Sequence, residues 1–175
     1  MPDTVAVWGP YVRVGHWLLV ASVTAAWLTR RGGGAWHEWT GYAALAFAGA
    51  RLAAGFVVRG HARFASFVRG PAETLRYGRE VLAGCERRHI GHNPLGGYMI
   101  VLLLAVTAAT GATGWLYTTD RYWGIEWVER LHSTLADALL VLAALHVAGV
   151  IAASLRHREN LLAAMLHGRK RADDL

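Results

Sequence analysis

Cysteine is all but missing: Cys85 stands alone, which excludes a disulfide framework, and no C-x-x-C-H run is present. No stretch matches a phosphate-cradling glycine loop or a nucleic-acid motif. Neither an internal repeat nor a low-complexity tract divides the chain. Charge is scarce as well, at 17% of 175 residues against 54% hydrophobic, with eight tryptophans. Uncharged runs of this length exclude an ordinary soluble domain and leave one integral membrane domain over 1–175.

Crossing a hydrocarbon core takes about 20 helical residues. Four stretches qualify, near 10–29, 36–58, 95–118 and 132–155, with a long loop at 59–94. Pro10 suits a first helical position, and Arg13 can snorkel to the interface. A cleavable leader is the competing reading of the first stretch, with small residues near Ser22 and Thr24, but cleavage would discard His16. Thirteen Lys/Arg fall at residue 13, in the 59–94 loop and in the tail; only Arg30, Arg31, Arg121 and Arg130 fall on the other side, with Arg51 inside a span. The positive-inside rule therefore puts both termini and the long loop in the cytoplasm. The net charge of +6 reads as topology and anionic lipid, not nucleic acid.

Within this topology four histidines fall into pairs. His132 and His146 are fourteen residues apart in the last segment, close to a whole number of helical turns and about 21 Å along the axis. His16 lies in the inner half of the first segment and His37 at the outer end of the second, so His16 can face His146 and His37 can face His132. That is the ligand pattern of two stacked b-type haems, held non-covalently because no C-x-x-C-H exists. Bis-imidazole ligation leaves no open iron position, which suits electron transfer rather than oxygen or peroxide chemistry. A lone intramembrane histidine is often a packing residue; four in leaflet-matched pairs point to function.

Other residues follow the same turn counting. Arg51, fourteen residues beyond His37 on its face, is a partner for a haem propionate or else a snorkelling interfacial arginine. Gly41, Gly111 and Gly114 admit a flat macrocycle or simply close helix packing. His61, His89, His157 and His167 read as solvated loop residues. His92 opens the third segment in Gly91-His92-Asn93-Pro94-Leu95-Gly96-Gly97, where His92 and Asn93 form a quinone or proton site, or a plain cap with Asn93 and Pro94. Trp36, Trp39, Trp123 and Trp127 form an outer aromatic belt. Residues 122–129 suggest a short interfacial helix, and 70–90 a cytoplasmic surface helix with a basic face. Cys85 is read as structural.

The run His16-Trp17-Leu18-Leu19, the His37–Gly41 spacing, Arg51, the Gly91–Gly97 block, Thr113-Gly114-Trp115-Leu116, and His132 with His146 together resemble the bacterial di-haem cytochrome b family. That family includes the b-type membrane subunits of NiFe-hydrogenases and small stand-alone quinone-linked cytochromes. The resemblance implies an all-α four-helix bundle in the bacterial inner membrane, crossing it several times and enclosing two haem b groups. It also implies electron exchange between the quinone pool and a periplasmic redox protein such as a c-type cytochrome. The His132–His146 spacing and short chain look closer to the stand-alone branch, which suggests a quinone-reducing superoxide oxidase as an alternative. A third reading is a non-redox subunit whose histidines bind metal or move protons.

Overall fold

The computed structural model describes residues 4–172. Its helices are α1 (Pro10–Thr29), α2 (Ala35–Val57), α3 (Phe64–Phe67), α4 (Pro71–Ala83), α5 (Pro94–Tyr117), α6 (Glu126–Arg156) and α7 (Leu161–His167). Local chemistry fixes several ends. Pro10 and Pro94 both occupy first helical positions, where the missing N–H costs nothing. The Asn93 side chain caps α5 by accepting from the Gly96 N–H at 2.7 Å, and Asn160 caps α7 by accepting from Ala163 at 2.8 Å. Between α1 and α2 the glycine run is obligatory: Gly32 and Gly34 have φ of 79° and 47°, and a Cβ on Gly33 would lie 2.2 Å from the Thr29 carbonyl.

Three helices, α2, α5 and α6, are long and apolar enough to cross a membrane. Helix α1 has 20 residues, but Arg13, His16 and two tryptophans keep it outside that set. One sequence expectation needs correction. Residues 122–129 form no separate interfacial helix: a turn through Gly124, φ 72°, leads straight into α6 at Glu126. The described residues are mostly helical, as expected, with one addition: β1 (Thr4–Ala6) pairs antiparallel with β2 (Arg169–Arg171), Val5 opposite Lys170. Both ends of the described chain therefore lie together.

The chain forms two compact units, each drawn from separate stretches. The first comprises the chain up to Arg13, Ala54–Val101, and from Ala144 onward. A small apolar core of Val7, Trp8, Val12 and Ala62 sits beneath its sheet, with Val58, Ile90 and Met165 packed on it. Arg13 does not snorkel freely; its guanidinium donates to the Leu166 carbonyl at the end of α7, where an orphan helix carbonyl and the dipole favour a cation. Helix α4 buries Tyr77 and leaves Leu75 and Leu82 exposed. Burial, with Glu86 and Glu80 nearby, pushes the Tyr77 phenol up to about 12.

A buried charge cluster ties the C-terminal strand down. Glu159 accepts from Arg88 Nη2 at 2.8 Å, Lys170 Nζ at 3.2 Å and the Arg171 N–H at 3.2 Å. Lys170 Nζ also donates to the His89 and Ile90 carbonyls, both at 3.1 Å. The side chains of Arg88, Glu159 and Lys170 are only 9%, 6% and 5% exposed. Burial pushes the Glu159 carboxyl up, but the Arg88 hydrogen bond and the Lys170 charge outweigh it and hold it below its ordinary value. Sequence reading counted these basic residues only toward the cytoplasmic charge bias; the carboxylate in their midst is what allows them inside.

The second unit comprises Val14–Ala53 and Leu102–Ala143. Here small residues set the helix spacing. Ala44, Ala48 and Leu104 are buried, and the hydroxyls of Thr107 and Thr113 donate back to the Leu103 and Ala109 carbonyls at 2.7 and 2.9 Å, so these polar groups sit inside without penalty. A Cβ on Gly111 would stand 2.8 Å from the Leu45 Cβ. Because Leu45 Cβ is fixed to its backbone, no rotamer change relieves the clash. Gly111→Ala is expected to force α2 from α5 and cost about 1–3 kcal/mol, read as a lowered melting midpoint of the purified protein. Unchanged melting would show that the two helices are not in such close contact.

Candidate functional site

In the second unit the imidazoles of His37 and His132 approach each other, with ring centres 6.0 Å apart and planes at 88°. His37 is in the first turn of α2 and is half-buried. The glycine turn folds α2 back on α1, so that His37 Nδ1 reaches the Ala26 carbonyl at 2.8 Å. That carbonyl lies in the last turn of α1, where acceptors lack helical N–H partners. His132 is in the second turn of α6. Its Nδ1 lies 3.0 Å from the Thr110 carbonyl and 3.3 Å from Thr113 Oγ1.

The partners settle the tautomer. A carbonyl oxygen only accepts, so both Nδ1 atoms carry the proton, and in the neutral ring Nε2 keeps its lone pair. This is the form in which histidine ligates a metal, with the outer nitrogen held by the backbone. The spacing fits as well. Metal–imidazole bonds of about 2 Å on each side, plus roughly 1 Å from each nitrogen to its ring centre, give roughly 6 Å between centres. On donor chemistry and separation, His37 and His132 suit an iron held between two imidazoles.

The glycines divide by role. A Cβ on Gly114 would come within 3.0 Å of His132 Cε1 and 3.2 Å of its Nδ1, so Gly114 lets the ring lie against α5. Gly111 is accounted for by Leu45. In front of Gly41, one turn after His37, there is nothing within 4 Å of the Cβ position, leaving room for a flat group. Arg51 and His16 are half-buried in the same unit, His16 edge-on to Trp17 at 5.0 Å. Among the described residues no group of three or more His, Cys, Asp or Glu is placed to hold a metal ion.

His146, His92 and Asn93 belong to the first unit. His146 is half-buried on α6, which runs unbroken from Glu126 to Arg156 and so carries His132 as well. The His92 ring packs on Trp8 at 4.4 Å and on Phe67 at 4.8 Å, and Asn93 caps α5. Among the remaining histidines, His89 Nδ1 meets the Arg87 carbonyl at 3.0 Å and His167 Nδ1 accepts from the Arg169 N–H at 3.1 Å. Cys85 is exposed in the turn after α4, its N–H on the Glu80 carbonyl. Trp36, Trp39, Trp123 and Trp127 are all exposed. Arg30 stacks over Trp27 at 3.8 Å and Arg130 pairs with Glu126, so neither is an idle cation.

Sequence reading missed the three groups that orient the imidazoles: the Ala26 and Thr110 carbonyls and the Thr113 hydroxyl. Carbonyls leave no trace in a sequence, but the Thr113-Gly114 pair was a usable signal, since a hydroxyl beside a missing Cβ makes a berth for a ring. A family profile described as "Prokaryotic cytochrome b561" matches residues 7–168. No curated protein and no solved structure gives a significant match.

Proposed function

The chain belongs to the prokaryotic cytochrome b561 family, b-type cytochromes that transfer electrons across a membrane, and on that premise we propose a relay built on two haems in a four-helix bundle. His37 and His132 hold one iron through their Nε2 atoms; His16 and His146 hold the other. When bound, haem b supplies one-electron chemistry at its iron. The chain contributes the rest. Imidazoles on both faces deny oxygen a coordination position, carbonyls behind His37 and His132 fix the rings, and Arg51 neutralises a propionate. The space before Gly41 and the berth at Gly114 accommodate a planar group beside the ligands.

In this reading α1 joins α2, α5 and α6 in a bacterial inner membrane, with both termini and the α3–α4 loop in the cytoplasm. The thirteen-to-four distribution of basic residues supports that orientation. Electrons pass between the quinone pool, met at the His92–Asn93 end, and a periplasmic redox protein such as a c-type cytochrome at the His37–His132 end. The exposed tryptophans there offer a docking surface.

The observation that carries the proposal is the His37–His132 pair, 6.0 Å apart with both Nδ1 atoms on acceptors. To test it, the protein is reconstituted in vesicles with a quinol inside and an oxidised c-type cytochrome outside. Quinol-dependent reduction of that cytochrome is expected, and its loss in His132→Ala. Haems that superoxide reduces while no c-type cytochrome exchanges electrons with them would instead mark an oxidase.

A further inference from the structure

Helix α6 ends without a glycine. The Glu159 N–H bonds to the Ser154 carbonyl at 3.0 Å and the Arg158 N–H to the Leu155 carbonyl at 3.4 Å. Those two bonds make a Schellman stop, whose left-handed residue is usually glycine. Here it is Arg158, φ 48°, the one left-handed residue other than glycine among the described residues. A side chain in this conformation costs stability that glycine would not, and such strain is kept where it aims a group.

Arg158 is at the rim of an open groove of about 400 Å³ in the first unit. One wall is a stripe along a single face of α6, Val150, Ile151 and Leu155, and Leu162 of α7 adds to it. Ile151, Leu155 and Leu162 are 54%, 75% and 56% exposed. The polar lining is otherwise spent: Ser154 Oγ accepts from the Leu161 N–H, Asn160 caps α7, and Glu159 is taken by Arg88 and Lys170. Only the Arg158 guanidinium in that lining has no hydrogen bond or ion pair among the described residues.

We propose that this groove binds an anionic glycerophospholipid, with the phosphate on Arg158 and an acyl chain along Ile151, Leu155 and Leu162. The polarity matches. The apolar wall continues a membrane-spanning helix toward hydrocarbon, and the cation stands where that helix ends, as a phosphate stands above its chains in a leaflet. A free anion would leave the apolar wall wetted, and an uncharged quinone would leave the guanidinium without a counter-charge. Arginine meets phosphate with two parallel hydrogen bonds, which fixes the headgroup as well as attracting it.

The test uses the full chain in detergent, with phosphatidylglycerol and phosphatidylcholine as probes, followed by native mass spectrometry and thermal melting. Wild type should bind phosphatidylglycerol roughly tenfold more tightly than phosphatidylcholine, and Arg158→Gln should remove the preference. Arg158→Gly should remove it too, while melting no lower than wild type without lipid, because glycine relieves the left-handed strain. The proposal is overturned if both variants keep the wild-type preference. It is equally overturned if inorganic phosphate stabilises the protein as well as phosphatidylglycerol does, since the site would then be one for a free anion.

Discussion

Replacing His132 with alanine is expected to cut the haem bound per chain by about half and to remove one of two spectral components. The expectation rests on geometry more than on residue type. His132 faces His37 at 6.0 Å, and its Nδ1 is occupied by the Thr110 carbonyl, so only Nε2 is left to ligate. Alanine removes that donor and leaves one imidazole, which cannot hold the iron on both faces. The loss should be selective, because His146, a further fourteen residues along α6, is proposed as a ligand of the other haem. His146→Ala should then remove the other component. Pyridine haemochrome assay and the reduced-minus-oxidised spectrum read both results. A His132→Ala protein that keeps full haem content with an unchanged spectrum would exclude His132 as a ligand.

Glu159→Gln is expected to be the most destabilising single change outside the proposed haem ligands, by roughly 3–5 kcal/mol. The carboxylate is the shared counter-charge of Arg88 and Lys170, both nearly sealed from water, and it also accepts the Arg171 N–H. Glutamine keeps the shape and an acceptor but strands two buried cations. The strand Arg169–Arg171 should detach first, taking its partner Thr4–Ala6 with it, so limited proteolysis should nick the C-terminal tail before α6 melts. Lys170→Met combined with Glu159→Gln should recover part of the loss, since the double variant removes a cation that the single variant leaves unpaired. The same linkage sets an acid limit. Glu159 is held below its ordinary value of 4.5 in the fold, so its contribution is complete above that value and drains away as the pH falls through the lowered one. A Glu159→Gln protein as stable as wild type at neutral pH would show that the cluster is solvated.

Local chemistry was readable where the chain announces it. Pro10, the Asn93–Pro94 pair and the glycines at 32–34 mark helix ends by backbone rules that hold without tertiary help. The nearness of His37 to His132 could be reached by counting turns and applying the positive-inside rule; what turn counting reaches is adjacency, and ligation needs the spectroscopy above. Long-range polar pairing was not readable. Lys170 and Arg88 counted only as tail and loop charges, because nothing in the sequence pairs Arg88 with Glu159, 71 residues away, or shows that Lys170 joins them. The strands at Thr4–Ala6 and Arg169–Arg171 are three residues each, too short to carry an alternating pattern. The start of α6 was misplaced for a related reason. Glu126 read as part of a separate short interfacial helix over 122–129, but it forms an i,i+4 ion pair with Arg130 that supports a helical turn continuous with the apolar run.

The most direct test of the relay is a redox titration of the purified protein's optical spectrum, with haem counted on the same sample. Two b haems per chain are expected, titrating as separate one-electron components, with the His37–His132 component missing from the His132→Ala protein. A folded wild-type protein that carries one haem or none, or whose titration is unchanged by loss of His132, would contradict it.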